Sequence, residues 1–363
     1  MSVEVNTRQD LYRKFQRRIK GTQENLEEDL ELEHEQNMLK TFIIESNVSP
    51  DDFLENSKHF RRVREIEPDL FELESEKDEK HVFYLDVQED RFWSLYTLIS
   101  SQPANQHIRR ATTTDKNGLD RLWIPNSTQS KFLEFGTFKG AGLKQRGKKA
   151  FPDDFVNVSD MRLELDGDDA EDFYAIFKQE ANIDKVLSLS RIILRNEQGE
   201  DYVTERITNS GAFTARGGNN IHIHLKTVEK VKKKYREVIE AIESHHRLSY
   251  GETKHGVEVE GKHLPIKLEN KIKDIDTFVS HLVDASAPFR LIGPTTEIGQ
   301  DYRKVRAVDL HNGDKVTLEI ESEEIRIYLD NEACGNTALR IFTNIQQYFD
   351  PSAVLKVKGF DDV

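Results

Sequence analysis

Apolar residues near the start of the chain recur with a helical spacing. Leu11, Phe15 and Ile19 follow one another at intervals of four residues, and Ser49 provides a capping residue for a second helix. Residues 7 to about 66 are therefore predicted to be helical. Two interpretations stay open for this stretch, a solvated helical hairpin or a docking helix that contacts a protein partner or a second copy.

The pattern changes after this stretch. Residues 69–87, DLFELESEKDEKHVFYLDV, alternate on both sides of a polar turn and predict a β-hairpin. Residues 89–100, EDRFWSLYTLIS, place Phe92, Leu95, Tyr96 and Ile99 on one face of a predicted short helix.

From residue 161 the predicted elements run twice in the same order. Each pass begins with a strand and a helix, continues with four strands and closes with a second helix. The stretch NNIHIHLK is the predicted fourth strand of the first pass, and EEIRIYLD is its counterpart in the second. The predicted segments are a helical N-terminal arm (1–66), a middle α+β segment with a basic Gly-rich loop (67–155), the first βαββββα repeat (156–250) and the second (262–352).

The order βαββββα, used twice, resembles the repeat of the TATA-binding-protein-like family. The similarity covers residues 161 to 350 and concerns element order only, because the intercalating phenylalanine pairs and the Pro-Gly-Leu strand of that family are absent. The resemblance implies an antiparallel sheet backed by helices with its other face open, and it does not imply binding to a TATA box. The predicted fold class is therefore α+β.

Two histidines in the first repeat raise the question of a metal site. If Ile221 and Ile325 occupy equivalent strand positions, His222 matches Arg326 and His224 matches Tyr328 on the open face of the sheet. Arg and Tyr are not typical zinc ligands, so a duplicated metal centre is not expected. These four residues are instead predicted to form a sheet-face binding surface that suits a protein partner, although plain solvation explains them too. A metal site at His222 and His224, completed by other histidines between 245 and 263, is the weaker alternative.

Composition narrows the class of protein. The formal net charge is −14, which argues against a chain coated in nucleic acid along its whole length. The single cysteine, Cys334, excludes an internal disulfide and Cys-rich zinc motifs. The sequence contains no signal peptide and no apolar run long enough to span a membrane. We therefore expect a cytoplasmic location and no contact with a membrane.

Positive charge concentrates in residues 106–150, called here the basic segment. Glycines lie among its cations, and such a loop can approach phosphates while Lys and Arg supply charge. The predicted nucleic-acid contacts are Arg109, Arg110, Lys139, Lys144, Arg146, Lys148 and Lys149. The segment lacks the Gly-x-x-x-x-Gly-Lys-Ser/Thr motif of a nucleotide-binding P-loop. The alternatives are a solvated loop or one that docks on the acidic part of the N-terminal arm.

No catalytic set is evident. The acidic stretch LELDGDDAED is explained by a helix start at Asp168 and Asp169, and no Ser-His-Asp set or dinucleotide motif is present. The favoured function is an intracellular binding module, without a cofactor, for nucleic acid, another polyanion or a protein partner. The alternatives are a metal-dependent hydrolase or nuclease that uses the histidines of residues 222–263, and a structural subunit of a larger assembly.

Overall fold

The computed structural model describes residues 5–27, 38–113, 118–152, 160–253 and 256–360. The protein is α+β with antiparallel sheets, which confirms the predicted class. It forms two compact units. Unit 1 comprises residues 1–122, 132–139 and 191–233, and unit 2 comprises residues 123–131, 140–190 and 234–363. The four-segment division stays a prediction.

The helices are α1 (Arg8–Glu27), α2 (Pro50–Asn56), α3 (Ser101–Thr113), α4 (Asn126–Lys131), α5 (Ala170–Ala181), α6 (Ile183–Val186), α7 (Ile221–His246), α8 (Ile275–Leu282) and α9 (Gly335–Tyr348). The strands up to α7 are β1 (Leu39–Ser46), β2 (Phe60–Glu67), β3 (Leu70–Ser75), β4 (Asp78–Asp86), β5 (Phe92–Thr97), β6 (Leu119–Arg121), β7 (Thr137–Arg146), β8 (Asp160–Asp166), β9 (Ser188–Gln198), β10 (Asp201–Thr208) and β11 (Ala212–Gly218). After α7 follow β12 (Ser249–Thr253), β13 (Gly256–Glu260), β14 (Leu264–Lys267), β15 (Leu291–Ile292), β16 (Thr295–Gly299), β17 (Tyr302–Asp309), β18 (Lys315–Ile320), β19 (Glu324–Leu329) and β20 (Val354–Leu355). None of the helices in the described part of the chain combines the length and apolar composition needed to cross a bilayer.

Unit 1 is a sheet covered on both faces. Its strand order is β2-β3-β4-β5-β1-β11-β10-β9, with β6 paired to β1. One face packs Phe42 and Trp93 against α2 and α3, and the other packs α1 and the start of α7 around Tyr96. Leu11, Phe15 and Ile19 of α1 are buried in this second core, so the apolar face of α1 is used inside its own unit.

Unit 2 contains a second antiparallel sheet, in the order β15-β17-β18-β19-β14-β20 with β16 paired to β17. Burial alternates strictly along β17 to β19, because the buried side chains pack with α8 and α9 and the others stay half-buried or exposed. The unit also holds the part of β7 from Gly140 onward, which pairs with β8, and the hairpin of β12 and β13.

Several predicted elements are confirmed. The hairpin of residues 69–87 is β3 and β4, and Ser49 accepts a hydrogen bond from the backbone N–H of Asp52 at the start of α2. The predicted second pass is present, with β16 and β20 in addition.

Other predicted elements are wrong. The N-terminal arm is helical only in α1 and α2, since residues 39–46 and 60–67 are strands, and residues 28–37 lie outside the described part. The predicted helix of residues 89–100 contains strand β5. Every residue of β1 and β5 is buried, because both faces of the sheet are covered, so neither strand shows a clean alternation of polar and apolar residues.

The predicted strand NNIHIHLK is the beginning of α7, so the first pass has three strands, and not four, between α5 and its closing helix. Asn220 is the reason that a helix starts here, because its side-chain oxygen accepts the backbone N–H of His222 at 2.9 Å. The apolar series Ile221, Val228 and Tyr235 then continues one buried face of α7.

The Gly-rich part of the basic segment is also not a loop. Thr137–Arg146 forms strand β7, and its Gly140 and Gly142 are buried. A Cβ at Gly136 would lie 2.0 Å from Asn196 Oδ1, so this glycine permits close packing against β9. Packing in the sheet therefore accounts for these glycines without a bound phosphate.

Candidate anion-binding cleft

A cleft of about 540 Å³ opens in unit 1 between α1, the first half of α7 and the ends of β4 and β5. Tyr12 comes from α1 and Asp86 from β4. Tyr96 comes from β5, and the stretch from His222 to Lys233 of α7 forms the remaining wall. All of these residues belong to unit 1.

The start of α7 is held against α1 by one side chain. Gln16 of α1 accepts the backbone N–H of Ile221 at 2.8 Å and donates to the carbonyl of Asn219 at 2.6 Å. These bonds satisfy backbone groups at the helix start that lack partners within the helix. They fix the wall that α7 presents to the cleft.

Four basic side chains form a stripe along this wall. His222, Lys226, Lys230 and Lys233 follow at intervals of four, four and three residues, which places them on one side of the helix. All four are exposed. We call them the α7 stripe.

The carboxylates of the cleft are already engaged by other cations. Asp86 accepts Arg8 Nε at 3.1 Å and a second nitrogen of the same guanidinium at 3.2 Å. Glu229 lies 2.7 Å from Lys232 Nζ, and Glu89 lies 3.5 Å from the same nitrogen. Lys232 is buried, so its charge serves these two carboxylates.

The lysines of the α7 stripe differ from Lys232. Lys226 Nζ donates to the neutral Gln198 side chain at 3.1 Å, and Lys230 Nζ lies 5.3 Å from the centre of the Phe135 ring. Within the described ranges, no ion pair joins Lys226, Lys230 or Lys233 to a carboxylate. The stripe therefore leaves the cleft with an excess of positive charge.

Two tyrosines add neutral donors. Desolvation, followed by the negative charge of Asp86, raises the pKa of Tyr12 to about 12. The same two causes raise the pKa of Tyr96, which is buried, well above its usual range. Both phenols therefore keep their protons at neutral pH. The rings of Tyr12 and His222 also make a T-shaped contact, with their planes at 85° and their centroids 6.2 Å apart.

His224 belongs to a buried network instead of the cleft. Its Nδ1 lies 2.6 Å from Glu205 Oε2 and its Nε2 lies 2.8 Å from Thr41 Oγ1. Glu205 also accepts Asn196 Nδ2 at 2.8 Å, and Asn196 donates to Thr227 at the same distance. The Thr-His-Glu connection has the order of a catalytic triad, but all three side chains are inaccessible to solvent. Its role is to attach α7 to the sheet.

The predicted sheet-face residues are not brought together as one surface. His222 points into the cleft and His224 into the core, so the pair does not share a face, and both lie on a helix. Arg326 and Tyr328 do lie together on β19 of unit 2. Arg326 pairs with Glu321 at 2.8 Å, and Tyr328 donates to Glu319 at 2.9 Å. Desolvation and the Glu319 contact raise the pKa of Tyr328 to about 12.

The predicted nucleic-acid contacts are divided between the two units. Arg109 and Arg110 lie on α3 and Lys139 on β7, all within unit 1. The other four belong to unit 2. Lys144 and Arg146 lie on β7, and Lys148 and Lys149 lie in the 3₁₀ turn after it. The predicted single loop is therefore wrong as local structure, while its role in binding stays a prediction.

The described residues offer no set of ligands for the predicted metal site at His222 and His224. In the part of the chain that the structure describes, no three His, Cys, Asp or Glu side chains are grouped as metal ligands. His222 and His224 lie in unit 1, whereas His245, His246 and His263 lie in unit 2. His255, another member of the predicted cluster, is outside the described residues.

Sequence reasoning missed the α7 stripe because it placed His222 and Lys226 on a strand and began the helix at Thr227, so the four residues did not fall on one element. Once Asn220 is recognised as the cap, their spacing is the signal that could have found them. Tyr12 and Asp86 could not be found this way, because only the folded sheet brings them to α7.

Similarity to known proteins extends over the whole chain. The chain aligns with a protein of Methanocaldococcus jannaschii named "Uncharacterized protein MJECL33", with 28% identity over 398 aligned positions that cover 99% of this chain and 96% of the relative. The family model of the MJECL33-like protein matches residues 1–363. The chain described here therefore belongs to the MJECL33-like protein family.

Proposed function

We propose that this protein binds a small phosphorylated ligand in the cleft of unit 1. The observation that carries the proposal is the α7 stripe, whose lysines face a cleft in which each carboxylate is engaged by Arg8 or Lys232. A cleft with this charge balance favours an anion.

The chemistry of the lining narrows the class of anion. Lysine ammonium groups act as point charges suited to phosphate, and the protonated Tyr12 hydroxyl can donate a hydrogen bond to a phosphate oxygen. Leu225 and the tyrosine rings offer apolar contact to an organic group. A volume of about 540 Å³ lies in the ordinary range for small-molecule sites and suits a ligand of the size of a mononucleotide.

The test is calorimetric titration of the full chain with inorganic phosphate, with AMP and with a sugar phosphate. The key variant is Lys226→Gln/Lys230→Gln/Lys233→Gln. Its matched control is Lys58→Gln/Lys77→Gln/Lys80→Gln, which removes the same charge from exposed lysines of unit 1 outside the cleft. We expect the cleft variant to weaken binding by about 30-fold or more and the control to change it by less than about 3-fold.

Two outcomes would contradict the proposal. The first is the absence of binding by the unaltered chain to any of the three compounds. The second is an equal loss of affinity in both variants, which would indicate a general effect of net charge. A thermal melt of the unaltered chain and of each variant without ligand separates both outcomes from loss of folding.

The function predicted for the basic segment is a second candidate, nucleic-acid binding. It is supported by the exposed Lys148 and Lys149, which follow β7 directly. A protein partner for Arg326 and Tyr328 is less favoured, because both side chains already have partners within the chain. Arg326 pairs with Glu321 and Glu324, and Tyr328 donates to Glu319. The hydrolase and structural-subunit alternatives stay predictions.

The TATA-binding-protein-like duplication also stays a prediction. The second pass supports it, because its sheet is backed by α8 and α9 on one side. The first pass supports it less, since α7 replaces the fourth strand.

A further inference from the structure

Strand β8 is an edge strand of unit 2. It pairs with β7 on one side, in a register that joins Leu163 to Leu143 and Asp160 to Arg146. Among the strands of the described ranges, β7 alone pairs with β8, so the other side of β8 has no strand partner there. An edge of this kind presents unpaired backbone N–H and C=O groups that can accept another strand.

The surface next to this edge is unusually apolar. Met161 of β8 is 49% exposed, and Phe173 and Ile176 of α5, a helix that contacts β8, are each 52% exposed. Phe173, Ile176 and Phe177 lie at helical spacing on one face of α5. In the single chain Phe173 and Ile176 of this face are exposed and Phe177 is half-buried. An exposed apolar face beside a free strand edge is typical of an interaction surface.

The sequence of β8 is complementary to itself. When two copies of DMRLELD are placed antiparallel with Leu163 opposite Leu163, Met161 faces Leu165 and Arg162 faces Glu164. By symmetry this arrangement contains two Arg–Glu pairs and two Met–Leu pairs. Opposite charges and apolar side chains directly across two strands stabilise an antiparallel pair. Only the solvated ends bring like charges together, where Asp160 faces Asp166.

We infer that two copies of this chain associate through their β8 strands, with the α5 helices covering each other's exposed apolar side chains. A two-fold axis at Leu163 makes each edge the partner of the other, so neither copy keeps a free edge. In the single chain Arg162 and Glu164 pair with each other on the surface. An exposed pair of this kind contributes little, so exchanging it for pairs across the interface carries little cost. This inference is independent of the proposed ligand.

The test is sedimentation velocity of the full chain over a broad range of protein concentration. Arg162→Glu alone places like charges at both cross-strand pairs of the dimer, and so does Glu164→Arg alone. We expect each variant to weaken dimerisation by about 10-fold or more. An equal mixture of the two variants restores opposite charges at both positions, so we expect heterodimers in the mixture. Such a rescue requires direct pairing and cannot result from a variant that fails to fold.

Glu197→Arg is the matched control. Arg195 and Glu197 form a similar exposed pair two residues apart on β9, with the two side chains 2.6 Å apart. We expect this variant to dimerise like the unaltered chain, and Phe173→Ser/Ile176→Ser to dimerise less. Three results would overturn the inference: a monomer at every concentration, a dimer that neither single charge reversal weakens, or single variants that the mixture does not rescue. In the first case the β8 edge would be left for a different protein.

Discussion

His224 Nδ1 lies 2.6 Å from Glu205 Oε2, and neither side chain is exposed to solvent. A buried carboxylate is stable only when its oxygens are hydrogen-bonded, and both oxygens of Glu205 are, through His224 and Asn196. The contact joins α7 to β10 inside unit 1. It therefore holds the helix that carries the α7 stripe.

The two histidines of this region are expected to respond differently to substitution. His224→Ala leaves Glu205 without its main partner and Thr41 without a bond, so we expect a loss of about 3 kcal/mol in the free energy of unfolding. His222→Ala removes an exposed ring and should change stability by less than about 0.5 kcal/mol. Urea denaturation followed by circular dichroism measures both. Equal effects would show that the network does not anchor α7.

Stability should also depend on pH through His107. Its Nε2 lies 3.0 Å from Nδ1 of His81, a contact in which one of the two nitrogens must be unprotonated. Desolvation first, and then the neighbouring His81, Arg110 and His59, lower the pKa of His107 from 6.5 to about 4. Between these values the unfolded chain binds the proton and the folded chain does not. The contribution of His107 is therefore lost as the pH falls, by at most about 1.4 kcal/mol per pH unit.

The measurement is the melting temperature from about pH 7 down to about pH 4.5. His107→Gln should flatten the dependence, whereas His222→Gln, at an exposed position, should not. The prediction fails if His107→Gln and the unaltered chain lose stability with the same slope.

The sequence predicts best the elements whose apolar residues repeat with a regular period. The strands β17 to β19 are buried on one face and alternate cleanly. Helix α9 is buried on all sides over most of its length, but its apolar residues still repeat with a helical period. Strand β1, LKTFIIES, is buried on both faces and lacks that signature. IHIHL alternates like a strand, but the Asn220 cap and the apolar residues after it select a helix. The cleft depends on Tyr12 and Asp86, which are far from α7 in sequence, so no local pattern could predict it.

Unit 2 contains a buried ion pair between Arg340 of α9 and Asp309 of β17. Arg340 is 2% exposed and Asp309 is fully buried. Asp309→Asn should destabilise the protein by about 3 to 5 kcal/mol, because it leaves the guanidinium charge uncompensated in the core. Adding Arg340→Met to that variant should recover part of the loss. Thermal melts of the single and double variants test this, and a double variant less stable than Asp309→Asn alone would contradict it.

The nucleic-acid prediction for the basic segment has its own test, which is separate from the cleft. Fluorescence anisotropy with labelled single-stranded and duplex DNA and RNA would be measured from about 50 to about 200 mM salt. If the segment contacts phosphates, affinity should fall steeply with salt, because each contact releases condensed counterions. Changing Lys144, Arg146, Lys148 and Lys149 to Ala should then weaken binding and reduce the dependence of affinity on salt.

The triple Gln variant of the α7 stripe is the control in unit 1. If the unaltered chain does not bind at the lowest salt concentration, the nucleic-acid prediction is wrong. If only the α7 stripe variant loses binding, the cleft is the site at which nucleic-acid phosphates bind.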